Sequence, residues 1–161
     1  MSFIIKGIDK LNDRERYEEL ISYIKAQLED ENDKIALMSN ISAFIMALIN
    51  DLNWAGFYLV EDKDLVLGPF QGLPACTRLD FSKGVVAKAY RDKKILKIDN
   101  VDDFKGHIAC DFLSKSELVI PIKSNGSISC LIDLDSPKLN RFTDIDVDRF
   151  RKISELLTDK L

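Results

Sequence analysis

The sequence has a single histidine, a single tryptophan and only three cysteines among 161 residues. One histidine, without any C-x-x-C pair, offers too few ligands for a tetrahedral zinc site, so we expect no bound metal. An odd number of cysteines does not build the disulfide framework typical of a small secreted protein. Any cysteine or histidine chemistry of this chain therefore depends on very few side chains.

Long apolar runs and an excess of positive charge are also missing. No stretch of 18 apolar residues occurs, so no membrane span is expected. The first residues, MSFIIKGIDKLNDRER, turn charged too soon for a secretory signal, and we expect a cytoplasmic protein with reduced thiols. With 23 basic and 27 acidic residues, the net charge of −4 argues against nonspecific binding of nucleic acid.

Hydrophobic periodicity predicts helices at 12–29, 31–51 and 83–92, with a closing helix that Thr143 and Asp146 can cap. Of the first two, the second is apolar around much of its circumference and should be the more buried. Strand patterns occupy 53–61, 64–70, 94–98, 117–123 and 127–135.

This order of elements predicts one α+β domain spanning 1–161, because no repeat, low-complexity tract or linker interrupts it. We expect a largely antiparallel central sheet, with the N- and C-terminal helices on one face. The long loops 71–82 and 99–116 would cover the other face, where functional sites tend to lie.

The pair Asn125-Gly126 predicts a hairpin between the last two strands. Alternate residues are apolar in both strands, from 118 to 122 and from 128 to 134, so these two sets should share the core side. A two-residue turn would pair 124 with 127, and hence 118 with 133, which mixes an apolar residue with a charged one. We therefore expect a three-residue turn, which pairs residues of equal parity.

That register places Glu117 on the opposite sheet face, beside Asp133 or Asp135. Three carboxylates clustered on a half-covered face repel one another, which should raise the pKa of at least one of them. A solvated strand end is an equally good interpretation of these acids from this pattern alone. Trp54 and Tyr58, four apart in a strand, share a face, so they either pack in the core or form the wall of an acidic pocket.

The stretch GHIACDFLSKSE places His107 three residues before Cys110, with acids nearby. Nearby negative charge disfavours a thiolate, so Cys110 is either a buried small residue or a specialised redox thiol. Cys76, in the other long loop, could form a reversible disulfide with it. Cys130 lies on the apolar face of its strand and should fill the core, and His107 should hold its loop by hydrogen bonding.

The segments NWAGFYLV, LVLGPFQGLPAC, FKGHIACD, SKSELVIPI and LIDLDSP occur in this order and spacing. Together they closely resemble the free methionine-(R)-sulfoxide reductases, which are single-domain GAF proteins. The resemblance runs from about Trp54 to Pro137 and implies a GAF-like fold for the whole chain.

The resemblance implies that the chain reduces free L-methionine-(R)-sulfoxide to methionine through a sulfenic acid and an intramolecular disulfide. It further implies no bound cofactor, an external thioredoxin-like dithiol as reductant, and leaves a homodimer open. The implied roles are Cys110 as catalytic cysteine, Cys76 as resolving cysteine, Glu117, Asp133 and Asp135 as holders of the sulfoxide and amino groups, and Trp54 and Tyr58 as contacts of the substrate methyl group.

One departure concerns a third cysteine that this family commonly carries in a GVCG motif. Here the stretch is GVVAKA, with Val86 at the cysteine position and Ala87 at the glycine position. Cys76 would then resolve alone, or an external thiol would do so. Two rival interpretations remain from the sequence, a GAF module that senses a small molecule without turnover and an interaction protein that acts through a dimer surface.

Overall fold

The computed structural model describes residues 5, 7–108 and 112–161. Within them the helices are α1 (Asp13–Asp30), α2 (Lys34–Leu48), α3 (Val85–Asp92) and α4 (Asp144–Leu157), with short 3-10 turns at Ile8–Lys10 and Val101–Asp103. The strands are β1 (Trp54–Val60), β2 (Asp64–Gly72), β3 (Arg78–Asp80), β4 (Leu96–Ile98), β5 (Ser116–Ser124) and β6 (Ser127–Ser136).

The six strands form one sheet in the order β3-β2-β1-β6-β5-β4, and each neighbouring pair is antiparallel. The predicted α+β class and antiparallel sheet are therefore confirmed. One strand escaped prediction, since Arg78–Asp80 lies in the segment expected to be a loop at 71–82. This strand has only three residues and only Leu79 is buried, too short a pattern for periodicity to reveal.

Side-chain caps fix where the first and last helices begin. The Asn12 side chain accepts a hydrogen bond from the Glu15 backbone N–H, and the Glu15 carboxylate accepts one from the Asn12 N–H. Thr143 and Asp146 form the same reciprocal arrangement at the start of α4, as the sequence predicts. Among the described residues, no helix is both long enough and apolar enough to cross a membrane.

One sheet face carries the main core, packed under α1, α2 and α4. The second of these helices contributes most, with seven buried residues in 15 positions against four in 18 for α1, as predicted. Cys130 is 1% exposed in this core, which confirms its assignment as a packing residue. Burial also raises the pKa of its thiol to about 11, so it stays protonated.

The opposite sheet face carries a second, smaller core that includes α3. The sequence predicts only loops on this face, and the structure corrects that expectation, because Val85, Val86 and Ala89 of α3 pack against it. This side of the sheet is therefore covered by one short helix as well as by loops.

Along most of the β5–β6 hairpin, residues of equal parity pair as predicted, but the turn does not produce this register. Ser124 pairs with Ser127, so the turn at Asn125-Gly126 has two residues, both with positive φ, and the expected three-residue turn is wrong. A β-bulge at Ser129 then shifts the register, so that Ile122 faces Cys130.

The bulge places Ile128 in the second core, opposite to the face that simple alternation assigns it. Beyond the bulge, residues of equal parity pair as expected, and Glu117 faces Asp135. The sequence prediction failed on the turn because an extra residue within a strand produces the same parity change as an extra residue in the loop.

The bulge leads to a prediction about single-residue deletions in β6. Removing Ser129 should leave a regular two-residue hairpin in which Ile122 still faces Cys130, because only the extra residue is lost. We expect its thermal midpoint to fall by only about 2–4 °C. Removing Leu131 instead would turn Asp133 towards the main core, and we expect no cooperative unfolding transition. Equal losses in the two deletions, measured by circular dichroism melting, would contradict this account of the register.

Candidate functional site

A cavity of about 40 Å³, partly open to solvent, lies between the sheet and α3. Its walls come from β1, β5 and β6, from the start of α3 and from the two long connections, so most of the sequence-predicted site residues meet here. The lining residues are Trp54, Tyr58, Ala75, Leu79, Gly84, Val85, Val86, His107, Ile108, Ser114, Glu117, Asp133 and Asp135.

The acidic wall follows directly from the β5–β6 register. Glu117 faces Asp135 across the strands, and Asp133 is two residues along on the same face, at the diagonal position. Glu117 is 4% exposed and Asp133 6%. The two share a side-chain hydrogen bond, while the second oxygen of Asp133, Oδ1, finds no partner among the described residues.

Burial sets the protonation of this wall. Loss of hydration raises the pKa of Glu117 well above its usual value, and the negative charges of Asp133 and Asp135 raise it further. Burial also raises the pKa of Asp133 to about 7, although the hydrogen bond from Glu117 opposes this shift. Glu117 therefore holds the proton and donates a hydrogen bond to Asp133, which makes Glu117 the protonated acid of the cluster near neutral pH.

The aromatic wall stands on the neighbouring strand. Trp54 and Tyr58 stack with their ring centroids 6.1 Å apart, and Phe70 stacks on the other side of Trp54 at 5.3 Å. Trp54 Nε1 donates to the Leu73 carbonyl at 3.1 Å, and the Tyr58 hydroxyl donates to the Cys76 carbonyl at 3.0 Å. The wall thus anchors the 73–76 loop at the mouth of the cavity.

The nearby acids also keep Tyr58 neutral. Burial raises the pKa of its hydroxyl, and the charges of Asp133, Asp135 and Glu117 raise it further. The hydroxyl consequently remains a donor to the Cys76 carbonyl over the whole physiological pH range.

Gly56, between Trp54 and Tyr58 on the same strand face, makes room for the indole ring. A Cβ at this position would lie 2.6 Å from the ring of Trp54 and 2.4 Å from the Phe70 Cβ. Any side chain here would displace the tryptophan from the wall. The sequence shows a glycine in a strand, which indicates a close approach, but its partner was not identifiable without the fold.

The three cysteines differ in their burial and bonding. Cys76 is half-buried and disulfide-bonded. Cys130 is a free thiol in the main core, on the other side of the sheet. The predicted catalytic residue, Cys110, lies outside the described residues, between Ile108 and Phe112.

His107 borders the acidic wall. Its Nε2 lies 3.8 Å from Glu117 Oε2, which is too long for a hydrogen bond. Its backbone N–H donates to the Phe104 carbonyl, so the main chain rather than the ring holds this loop. Burial lowers the pKa of the imidazole, with the charge of Asp102 opposing the shift, which favours the neutral ring.

Sequence reasoning missed two contributors to the cavity. The first is the start of α3, where Gly84 has φ of 85° and caps the helix with no side-chain hydrogen bond. The second is Ser114, whose Oγ accepts a hydrogen bond from Asn53 Nδ2 at 3.0 Å. Neither is a recognisable motif, since both depend on long-range placement. Within the described part of the chain, no three His, Cys, Asp or Glu side chains are grouped to hold a metal ion.

This architecture is that of a GAF domain, a six-stranded antiparallel sheet with helices on both faces and a small recess under the shorter helix. A solved GAF domain superimposes with a TM-score of 0.87 at 34% identity, covering 93% of this chain and 89% of the other. No family model matches the sequence.

More specific relatives share both sequence and fold. The free methionine-R-sulfoxide reductase of Escherichia coli is 41% identical over 89% of this chain and 87% of its own. The solved structure of the reductase of that name from Neisseria meningitidis, in complex with its substrate, matches with a TM-score of 0.84 and 33% identity, covering 98% and 92% of the two chains. The chain belongs to the free methionine-(R)-sulfoxide reductase family.

The close packing at Gly56 predicts the effect of adding one methyl group. Gly56→Ala should push the indole of Trp54 out of its stack, with a loss of about 1–3 kcal/mol of unfolding free energy. Because Trp54 is the only tryptophan, its fluorescence spectrum reports the displacement directly. Gly68→Ala is the matched control, since its Cβ would meet nothing closer than 3.2 Å. An unchanged spectrum in Gly56→Ala would contradict the packing described here.

The buried acids predict that stability falls as pH rises. A carboxyl whose pKa is higher in the folded than in the unfolded protein takes up a proton on folding, so raising the pH from near 3.8 to about 7 destabilises the fold. Asp133→Asn removes this cost, and we expect it to be about 1–3 kcal/mol more stable than wild type at pH 8.

The advantage of Asp133→Asn should shrink towards pH 4, as measured by urea unfolding across this range. Asp62→Asn, at an exposed turn, is the control and should show no such dependence. An advantage that is the same at both ends of the range would show that the charge of Asp133 is not its cause.

Proposed function

We propose that this protein reduces free L-methionine-(R)-sulfoxide to methionine. The observation that carries the proposal is the cavity in which a protonated, buried acid, two further carboxylates and an aromatic wall meet beside a disulfide-bonded cysteine. Sulfoxide reduction by thiols needs a nucleophile for sulfur, an acid for oxygen and a second thiol. Family membership supports the assignment of these roles.

The chemical step uses Cys110 and Glu117. The Cys110 thiolate attacks the sulfoxide sulfur while Glu117 donates its proton to the sulfoxide oxygen. The oxygen passes to Cys110, methionine leaves, and Cys110 becomes a sulfenic acid. Burial supports the role of Glu117, because an ordinary exposed carboxyl would hold no proton at neutral pH.

The remaining carboxylates bind the substrate ammonium. Asp133 and Asp135 lie on one side of the cavity, and Oδ1 of Asp133, which has no partner among the described residues, is a ready acceptor. At the opposite wall, the first N–H groups of α3 follow Gly84 and can receive the substrate carboxylate. Trp54 and Tyr58 would contact the methyl group. A peptide-bound methionine sulfoxide has neither terminal charge, which explains selectivity for the free amino acid.

The second thiol is Cys76. Its attack on the Cys110 sulfenic acid releases water and forms an intramolecular disulfide. Support comes from the disulfide-bonded state of Cys76 and from the burial of Cys130 on the far side of the sheet, where it cannot take part. Val86 stands in the cavity where the family commonly has a third cysteine, so we propose a cycle with Cys76 as the single resolving thiol.

A thioredoxin-like dithiol then reduces the disulfide and regenerates both thiols. The protein needs no bound cofactor for this cycle, because all electrons come from the external dithiol. We further propose that it works in the cytoplasm, where such reductants are maintained, and that residues 1–161 act as one domain. Whether a homodimer forms does not affect this chemistry, since every proposed role belongs to one chain.

The test is methionine formation from the free (R)-sulfoxide with dithiothreitol as reductant. Cys110→Ser should abolish it, and Glu117→Gln should lower kcat by about 100-fold or more because no proton is donated. The N-acetylated sulfoxide should react with a kcat/KM at least about 100-fold lower, since without its ammonium it carries no positive charge to offset Asp133 and Asp135.

Cysteine variants separate chemistry from recycling. Cys76→Ser should form one equivalent of methionine per protein and then stop when thioredoxin is the reductant, whereas Cys130→Ala should cycle like wild type. Tight binding of the sulfoxide by wild type without methionine release would favour a GAF sensor over the reductase.

A further inference from the structure

Three exposed apolar side chains border the cavity on the outside. Phe112 is 85% exposed, the highest value for any large apolar side chain in the described part of the protein, and Leu73 and Leu113 are 57% and 59% exposed. Isolated exposed apolar residues are common, but three in two loops at one site are not. We refer to Leu73, Phe112 and Leu113 as the apolar rim.

The two loops of the apolar rim are fastened to adjacent residues. The Leu73 carbonyl accepts a hydrogen bond from Trp54 Nε1, and Ser114, directly after Leu113, accepts one from Asn53 Nδ2. Because Asn53 and Trp54 are neighbours in the chain, both loops lie at the same end of β1. The apolar rim is therefore one surface feature held by the same strand that builds the aromatic wall.

This surface adjoins the disulfide that the proposed cycle must reduce. Cys76 lies three residues beyond Leu73 and is half-buried, and its carbonyl is held by the hydroxyl of Tyr58. A thiolate can attack a sulfur only along an open approach, so the reducing partner must cover the surface around Cys76. The apolar rim is the part of that surface whose removal from water is favourable, because its side chains are apolar.

The size of the apolar rim identifies the kind of partner. Three side chains offer on the order of a few hundred Å² of apolar surface. A stable dimer needs about 800 Å² from each partner, so a second copy of this chain is not held by this surface alone. Transient redox encounters bury less, and brief association is what a reductant that must leave after each cycle requires.

We propose that the apolar rim is the docking surface for the reductant, a small protein with a reactive dithiol surrounded by an apolar surface of its own. Docking places the incoming thiolate at the Cys76 sulfur, where it forms a mixed disulfide and the other half-cystine leaves as a thiolate. The second thiol of the reductant then attacks the mixed disulfide, frees Cys76 and leaves the reductant oxidised by two electrons. This inference rests on the proposed function, which is the reason the disulfide must be reduced. The reduction itself can be measured without the sulfoxide reaction.

The experiment follows reduction of the oxidised protein by thioredoxin in stopped flow, with no sulfoxide present. Phe112→Ala combined with Leu73→Ala should lower the second-order rate constant at least about tenfold, the effect of losing about 1.4 kcal/mol of docking energy. The rate with dithiothreitol, which needs no docking surface, should stay within about twofold of wild type. Ile35→Ala, at an apolar residue of α2 that is 66% exposed, is the control and should change neither rate.

Three results would overturn the docking proposal, two of them in the reduction rates. One is a thioredoxin rate that falls no further in the double variant than in Ile35→Ala. The other is a parallel fall with dithiothreitol, which would mean that the side chains shape the disulfide rather than bind a partner. Sedimentation of wild type and double variant adds a third, since a dimer that the substitutions dissociate would make a second copy the occupant. If these rates behave as expected but no methionine forms from the sulfoxide, the proposed function fails while the docking surface stands.

Discussion

The register between β5 and β6 is the constraint on which the rest of this structure depends. It directs Leu118, Ile120 and Ile122 into the main core and, on alternate positions, turns Glu117 and its acidic partners towards the cavity. Because side chains alternate along a strand, a shift of one residue would bury the carboxylates under the helices and expose the hydrocarbon. The same pairing that stabilises the fold therefore also assembles the site, and neither can change alone.

The acidic wall lowers the stability of the fold, because it buries carboxyl groups that repel one another. Two buried carboxyls share one hydrogen bond, and one oxygen of Asp133 has no partner among the described residues. Burial keeps Glu117 protonated, so this residue adds no negative charge to that of the two aspartates near neutral pH. An ammonium group bound as we propose would offset part of the remaining negative charge. Natural proteins commonly give up some stability at a functional site in this way.

The aromatic wall connects this chemistry to the surface. Trp54 lies over Gly56 and holds the Leu73 carbonyl, while Tyr58 holds the Cys76 carbonyl. One strand thus fixes the inner surface of the cavity and the position of the loop that carries the disulfide-bonded cysteine. Two hydrogen bonds thus connect the cavity that we propose binds substrate to the surface that we propose docks the reductant.

The sequence alone determined the helices, the main strands and the parity of the final hairpin, because these depend on local periodicity and on caps such as Thr143 with Asp146. It also indicated that Glu117, Asp133 and Asp135 share a face, since alternation within two paired strands decides that. Three-dimensional packing was needed to show that the parity comes from a bulge at Ser129 rather than from the turn, and that α3 covers the cavity side of the sheet. Long-range packing likewise decided the protonation of Glu117 and the place of Gly56 beneath the indole, because burial and close contact are properties of neighbours that are distant in the chain.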